Sequence, residues 1–204
     1  MDAHSKPAPN RSVDFFDRQF QRQSGEGALA LNGFEAIALP YLRGEVLDFG
    51  CGLGNLSFAA AKRGCTVTAL DASPAAVAHI RSRAALGHAS VFASEAELRH
   101  YRLTQHFDCI VAIGLLMFFD CGTAQRVLGD LKAHVRAGGV VVLNVLIEGT
   151  TFMDMFDVSG HCLYTAEAVA AQFDGWKIEQ MEGSDFDAPG GTVKRFCTVV
   201  ARKP

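Results

Sequence analysis

Several features are scarce or missing in this chain of 204 residues, and each removes a class of function. No basic excess is present: 19 Lys and Arg stand against 22 Asp and Glu, for a formal charge of −3, so nothing suggests a nucleic-acid surface. Long hydrophobic runs are missing too. The longest, Cys109–Phe119 and Val140–Ile147, fall short of the roughly 18 apolar residues a membrane helix needs. The opening MDAHSKPAPNR has no apolar h-region, so no secretory leader is expected. Six cysteines, at 51, 65, 109, 121, 162 and 197, form no C-x-x-C pair, which predicts reduced, mostly buried thiols in a cytoplasmic protein. His4, His79, His88, His100, His106 and His134 show neither H-x-x-x-H nor H-x-H spacing, so no metal is expected.

What is present is an ordinary globular composition, 49% hydrophobic and 20% charged, in a length that suits one α/β domain. Residues 1–12 read as a polar, disordered tail, and residues 13–204 as that domain. The most informative stretch is Glu45–Asp71. Val46, Leu47 and Phe49 make a short apolar run that fits a buried parallel strand. The turn Gly50-Cys51-Gly52-Leu53-Gly54 follows, its glycines allowing positive φ and leaving backbone N–H groups able to face a ligand. A helix is predicted from Asn55 to Gly64 and a second strand over Cys65–Leu70, with Asp71 at its carboxyl end. A carboxylate at that point is where an α/β nucleotide site accepts two ribose hydroxyls. The dinucleotide fingerprint would need glycine at position 55, where this chain has Asn55, so a nicotinamide enzyme is the weaker reading.

Further along, Ser73-Pro74 starts a helix to Gly87, Ala89–Ala93 is a third strand, and Phe107–Gly114 a fourth. Thr123–Ala137 reads as an amphipathic helix ended by Gly138-Gly139, and Val140–Ile147 as a central fifth strand. Thr165 caps a helix to Phe173, and Trp176–Glu182 and Thr192–Ala201 form a terminal hairpin joined by GSDFDAPGG. Upstream, Gly33–Tyr41 is helical, and Val13–Gln23 gathers Phe15, Phe16 and Phe20 on one side of a short helix.

The segment Asp48-Phe49-Gly50-Cys51-Gly52-Leu53-Gly54 resembles motif I of the class I S-adenosylmethionine-dependent methyltransferases. From about Val13 onward the chain is similar to the tellurite-resistance type of that family, the ending Lys194–Lys203 included. The resemblance implies a Rossmann-like, doubly wound, seven-stranded, mostly parallel sheet in the order 3-2-1-4-5-7-6 with a C-terminal antiparallel hairpin. It implies S-adenosylmethionine as cofactor, S-adenosylhomocysteine as product and a small-molecule acceptor such as a thiol or chalcogen. On this pattern Asp48 lies near the cofactor's ammonium, and Gly50, Cys51, Gly52, Gly54 and Asn55 line its amino-acid end. Asp71 and Ala72 meet the ribose, and Ser94, Glu95 and Ala96 the adenine. Ala112, Ile113 and Met117 complete the wall, with Phe16 and Phe20 folding over it as a lid.

The carboxyl ends of the fourth and fifth strands flank the crevice, so Phe118, Phe152, Met153 and Phe156 are expected to form an apolar, closable acceptor chamber. His161 and Tyr164 are the candidate proton acceptors for a nucleophile that needs one. The family's His-Arg pair and further arginine are replaced by Ser184-Asp185 and Gly190-Gly191, which argues against a doubly charged oxyanion. The alternative from another class is a non-catalytic S-adenosylmethionine-binding module acting as sensor or partner subunit.

Overall fold

The computed structural model describes residues 30–87, 89–157 and 160–204. The lid candidates Phe16 and Phe20 therefore lie outside the described residues. Seven strands form one sheet: β1 (Glu45–Phe49), β2 (Thr66–Asp71), β3 (Val91–Glu95), β4 (Phe107–Ile113), β5 (Val135–Leu146), β6 (Lys177–Ala188) and β7 (Thr192–Arg202). Their order is β3-β2-β1-β4-β5-β7-β6, as expected. The first five run parallel, and β7 is antiparallel to both β5 and β6.

Alternation along each strand builds a core on both faces of the sheet. Leu47, Ile110 and Leu143 pack on one side with Val127, Leu128 and Leu131 of helix α4 (Cys121–Ala133) and Val169 of helix α5 (Ala166–Ala171). Val46, Val111 and Val142 pack on the other. There they meet Ala38 of helix α1 (Gly33–Ala38), Leu56 and Phe58 of helix α2 (Asn55–Lys62), and Val77 and Ile80 of helix α3 (Pro74–Gly87). The chain returns across the sheet between β1 and β4, so a crevice opens at their carboxyl ends. Among the described residues no helix is long and apolar enough to cross a membrane.

Five expectations are corrected. The third strand runs two residues later, Val91–Glu95, because Ala89 and Ser90 belong to the turn that closes α3. The helix expected over Thr123–Ala137 is Cys121–Ala133, and its cap is Asp120, whose side chain accepts the Thr123 N–H at 2.9 Å. Gly138-Gly139 does not stop that helix but sits inside β5, where its pairing with β4 is irregular. A Cβ at Gly139 would lie 2.6 Å from the Asp108 carbonyl oxygen, so close strand approach requires glycine there.

The terminal hairpin is longer and its turn shorter than expected. Gly183 to Ala188 pair with Cys197 to Thr192, leaving only Pro189–Gly191 as the connection. The cysteines differ most. Cys121, the first residue of α4, is bonded to Cys162, 41 residues on in the segment after β5, while Cys51, Cys65, Cys109 and Cys197 are buried thiols. The reading of six reduced thiols therefore fails, and with it the support it lent to a cytoplasmic location.

Candidate active site

The crevice is built around the turn between β1 and α2. Gly50, Gly52 and Gly54 all have positive φ, at 83°, 51° and 73°. Two of these positions are also sterically closed. A Cβ on Gly50 would meet Leu115 Cδ2 at 2.9 Å, and one on Gly54 would meet Ile80 Cγ1 at 2.9 Å. The turn N–H groups are largely used within the chain: those of Gly50 and Cys51 donate to the Leu70 carbonyl, that of Gly54 to the Cys51 carbonyl, and that of Gly52 to Asp71 Oδ2 at 2.8 Å. The glycines thus shape the turn and bring Asp71 against it rather than presenting a row of free donors.

Asp71 is held at the tip of β2 from two sides. Its Oδ2 takes the Gly52 N–H, and its Oδ1 takes the Ser73 N–H at 2.9 Å. These bonds fix the orientation of the carboxylate at the tip of β2. Glu95 pairs in register with Asp71 on the neighbouring strand, and both Glu95 and Ser94 are exposed at that edge. Ala96 is tied back by its N–H to the Asp71 carbonyl.

Asp48 is the most perturbed acid. It is buried on β1 and accepts the Ser57 hydroxyl at 2.6 Å. Burial pushes its carboxyl up to about 7; the Ser57 bond opposes the rise, and the nearby Glu35 and Asp71 carboxylates add to it. Glu35 itself, in the first turn of α1, is raised by burial, against the pull of the Asn32 and Leu56 N–H groups. Nearby, Asn55 Oδ1 is buried with no hydrogen-bond partner among the described residues. Three carboxylates and an orphaned amide oxygen therefore converge beside the turn. Sequence reasoning missed Glu35 and Ser57. The signal for Glu35 was legible, since Asn32 and Glu35 form a reciprocal capping box.

The other wall is apolar. β4 ends at Ile113, Gly114 donates its N–H to the Asn144 carbonyl at 3.0 Å, and Leu116–Phe118 make one tight 3-10 turn. Met117, Phe118, Leu146, Met155 and Phe156 pack together, with Phe152, Leu163 and Phe196 against them. The Phe118 and Phe156 rings lie 5.3 Å apart. So the structure assembles Met117, Phe118, Phe152 and Phe156, but leaves Met153 37% exposed and outside the cluster. Ala112 is corrected as well: it is fully buried in the core on the opposite face from Ile113, so its side chain does not reach the crevice. The disulfide ties the two arms of this wall, and the Cys162 N–H donates to the Met117 carbonyl at 3.0 Å.

The two proton-acceptor candidates have different surroundings. His161 is exposed and its ring stacks on Phe156 at 4.9 Å. Tyr164 is buried, its hydroxyl has no hydrogen-bond partner among the described residues, and burial raises its phenol. A phenol shifted upward stays protonated at neutral pH, so Tyr164 is suited to donate a hydrogen bond and not to take a proton.

This sheet order, with an acid-tipped second strand beside a glycine turn and an apolar wall from the fourth and fifth strands, defines the class I methyltransferase architecture. Residues 46–139 match the family described as "Methyltransferase domain". A malonyl-[acyl-carrier protein] O-methyltransferase of Pectobacterium atrosepticum is 33% identical over 144 residues, 69% of this chain and 52% of that protein. Hemagglutinin 1 of Eikenella corrodens is 27% identical over 170 residues, 78% of this chain and 55% of that protein. The chain thus spans about half the length of these relatives. Among solved structures, TehB of Haemophilus influenzae superposes with a TM-score of 0.76 at 17% identity, covering 93% of this chain and 67% of that one. The N-methyltransferase NodS of Bradyrhizobium japonicum, in complex with S-adenosylhomocysteine, gives 0.73 at 15% identity, covering 95% and 99%. At these identities the likeness is one of fold. Residues 46–139 are thus a methyltransferase domain, carried on the fold that these solved structures share.

The donor set fits the family's cofactor. S-adenosylmethionine brings a sulfonium and an ammonium, and the crevice offers Asp48, Glu35, Asp71 and the orphaned Asn55 oxygen, with no cationic partner for Asp48 among its perturbing neighbours.

Proposed function

We propose that the chain binds S-adenosylmethionine over the glycine turn and moves its methyl group to a small acceptor, a thiol or chalcogen nucleophile, seated against the Phe118, Phe152 and Phe156 wall. The observation that carries this is the juxtaposition of an acidic crevice and an apolar chamber across the ends of β1 and β4. Asp48 and Glu35 would hold the ammonium, Asp71 the ribose hydroxyls, and Ser94 to Ala96 with Ile113 the adenine. The cofactor, when bound, supplies an electrophilic methyl group on a sulfonium, whose positive charge disappears on transfer.

A displacement that discharges a cation gains little from an acid or base; the protein contributes alignment and exclusion of water. Phe118 and Phe156 exclude water, and the Cys162 to Met117 bond with the disulfide fixes the distance between the two arms that carry them. Tyr164 keeps its proton, but its side chain packs in the main core and not with the Phe118 and Phe156 wall. A soft nucleophile needs no more than this. The acceptors named for the relatives, malonyl-acyl-carrier protein and ribosomal protein L11, differ from each other, so they do not decide the acceptor here.

Calorimetric titration with S-adenosylmethionine and S-adenosylhomocysteine tests the first half of the proposal. Release of S-adenosylhomocysteine with a panel of thiols, chalcogen oxyanions, amines and phenols tests the second. Tight cofactor binding with no release across the panel would turn the reading to the binding module.

A further inference from the structure

We infer that Lys194 and the aromatic mouth around it select an acceptor with one anionic group on an apolar body, an organic acid. The inference rests on the acceptor site proposed above and names what that site recognises. Lys194 lies on β7 two residues before Phe196, so the two side chains share a face of the sheet. Phe196 pairs with Leu146, the last residue of β5, which places Lys194 beyond the carboxyl end of β5, over the crevice edge.

The Lys194 ammonium stands 4.7 Å from the centre of the Phe152 ring, and the residue is half-buried. Among the described residues no carboxylate pairs with it. The contrast with its neighbours is informative. Arg195, on the opposite face, is neutralised by Asp185 at 3.0 Å. The other half-buried lysines are satisfied by backbone: Lys132 donates to the Gln172 carbonyl, and Lys203 to the Val135 carbonyl at 2.7 Å. Asp185 and Asp187 flank Phe186 on β6, and by alternation they face away from Lys194, which is in register with Phe186. A partly desolvated ammonium with only a ring face for company gains a charge-assisted bond when an anion arrives.

The surface around it is aromatic. Phe34 packs on Phe196 at 4.8 Å and on Phe186 at 5.6 Å, and Phe186 on Phe196 at 5.8 Å. Phe196 also packs against the Met117, Phe118 and Phe156 cluster, so apolar surface runs without a break from the chamber to the mouth. One unpaired cation on that surface matches one anion on an apolar ligand. With Arg195 held by Asp185, it does not match a compact, doubly charged one.

The test compares para-mercaptobenzoate with its methyl ester, which keeps the thiol and the ring but removes the charge. Binding to the protein saturated with S-adenosylhomocysteine is read by calorimetry, and turnover with S-adenosylmethionine by product release. The acid should bind at least about tenfold more tightly than the ester to the native protein. Lys194→Met should erase that preference, and Lys194→Arg should keep it. Equal affinities in the native protein, survival of the preference in Lys194→Met, or its loss in a folded Lys194→Arg each overturn the assignment. A preference seen in binding with neither compound methylated would leave Lys194 as the anion site and count against thiol methylation instead.

Discussion

Asp48 gives the site a pH dependence whose size follows from its burial. Its carboxyl moves from an ordinary 3.8 to about 7 in the folded chain. Between those values the native state holds a proton that the unfolded chain has lost, so stability falls as pH rises through this window and is constant above it. At 1.36 kcal/mol per decade of proton affinity the full loss is about 4 kcal/mol. Cofactor binding carries the opposite slope. An ammonium next to Asp48 is held by the carboxylate, so below about pH 7 each bound cofactor must displace the Asp48 proton, and affinity should fall about tenfold per pH step. Calorimetry near pH 6 in two buffers of different ionisation enthalpy should therefore show release of about 0.9 proton per cofactor bound. Asp48→Asn, which can still accept the Ser57 hydroxyl, should abolish the proton release, flatten the affinity profile and bind more weakly at every pH above about 7. Affinity independent of pH between about 5.5 and 8, with no buffer effect, would refute the reasoning and leave Asp48 a buried acid with no contact to the ligand.

Asp71→Ala removes the partner of two backbone N–H groups as well as the proposed hydroxyl acceptor; cofactor affinity should drop at least about tenfold, and thermal stability should fall by about 1–3 kcal/mol. Unchanged affinity by calorimetry would make Asp71 a device for the turn alone. Cleaving Cys121–Cys162, by reduction or as Cys162→Ser, frees a loop of 41 residues and should cost about 4 kcal/mol on the loop-closure estimate, or about 8–16 °C in Tm by calorimetric scanning. Because that bond joins the arms of the acceptor wall, the acceptor KM should rise on reduction while the cofactor Kd holds. Phe156→Leu, which gives up the ring contacts to Phe118 and His161, should likewise raise the acceptor KM in product-release assays without moving cofactor affinity.

The parts of the site that could be read beforehand are those where short-range chemistry dictates the structure. Gly50, Gly52 and Gly54 had to adopt left-handed conformations, Asp71 had to end a strand, and Ser73-Pro74 had to start a helix. The missed parts depend on what packs against them. Gly138-Gly139 has the composition of a helix stop, yet its close approach to β4 makes it an irregular strand. GSDFDA has the composition of a loop because it lies at an edge wetted on both faces; only its pairing with β7 makes it a strand. Cys121 and Cys162 carry no spacing signal, since they meet only once β4 and β5 lie side by side.

The same distinction explains why the turn side of the crevice was more legible than the apolar side, where Phe118, Phe152 and Phe156 were expected but Phe34 and Phe196 were not. The cofactor half comes from one continuous βαβ stretch, where spacing alone sets geometry. The acceptor half gathers α1, β4, β5 and β7 from four separate regions of the chain. Phe34 meets Phe196 across that distance, and among the described residues Lys194 has no carboxylate partner because Asp185 lies with Arg195 on the other face. On the proposed reading, acceptor specificity would be a property of the closing hairpin as much as of the chamber wall. A substitution in β6 or β7 that redirects Asp185 toward Lys194 should silence the anion site while leaving the cofactor crevice intact.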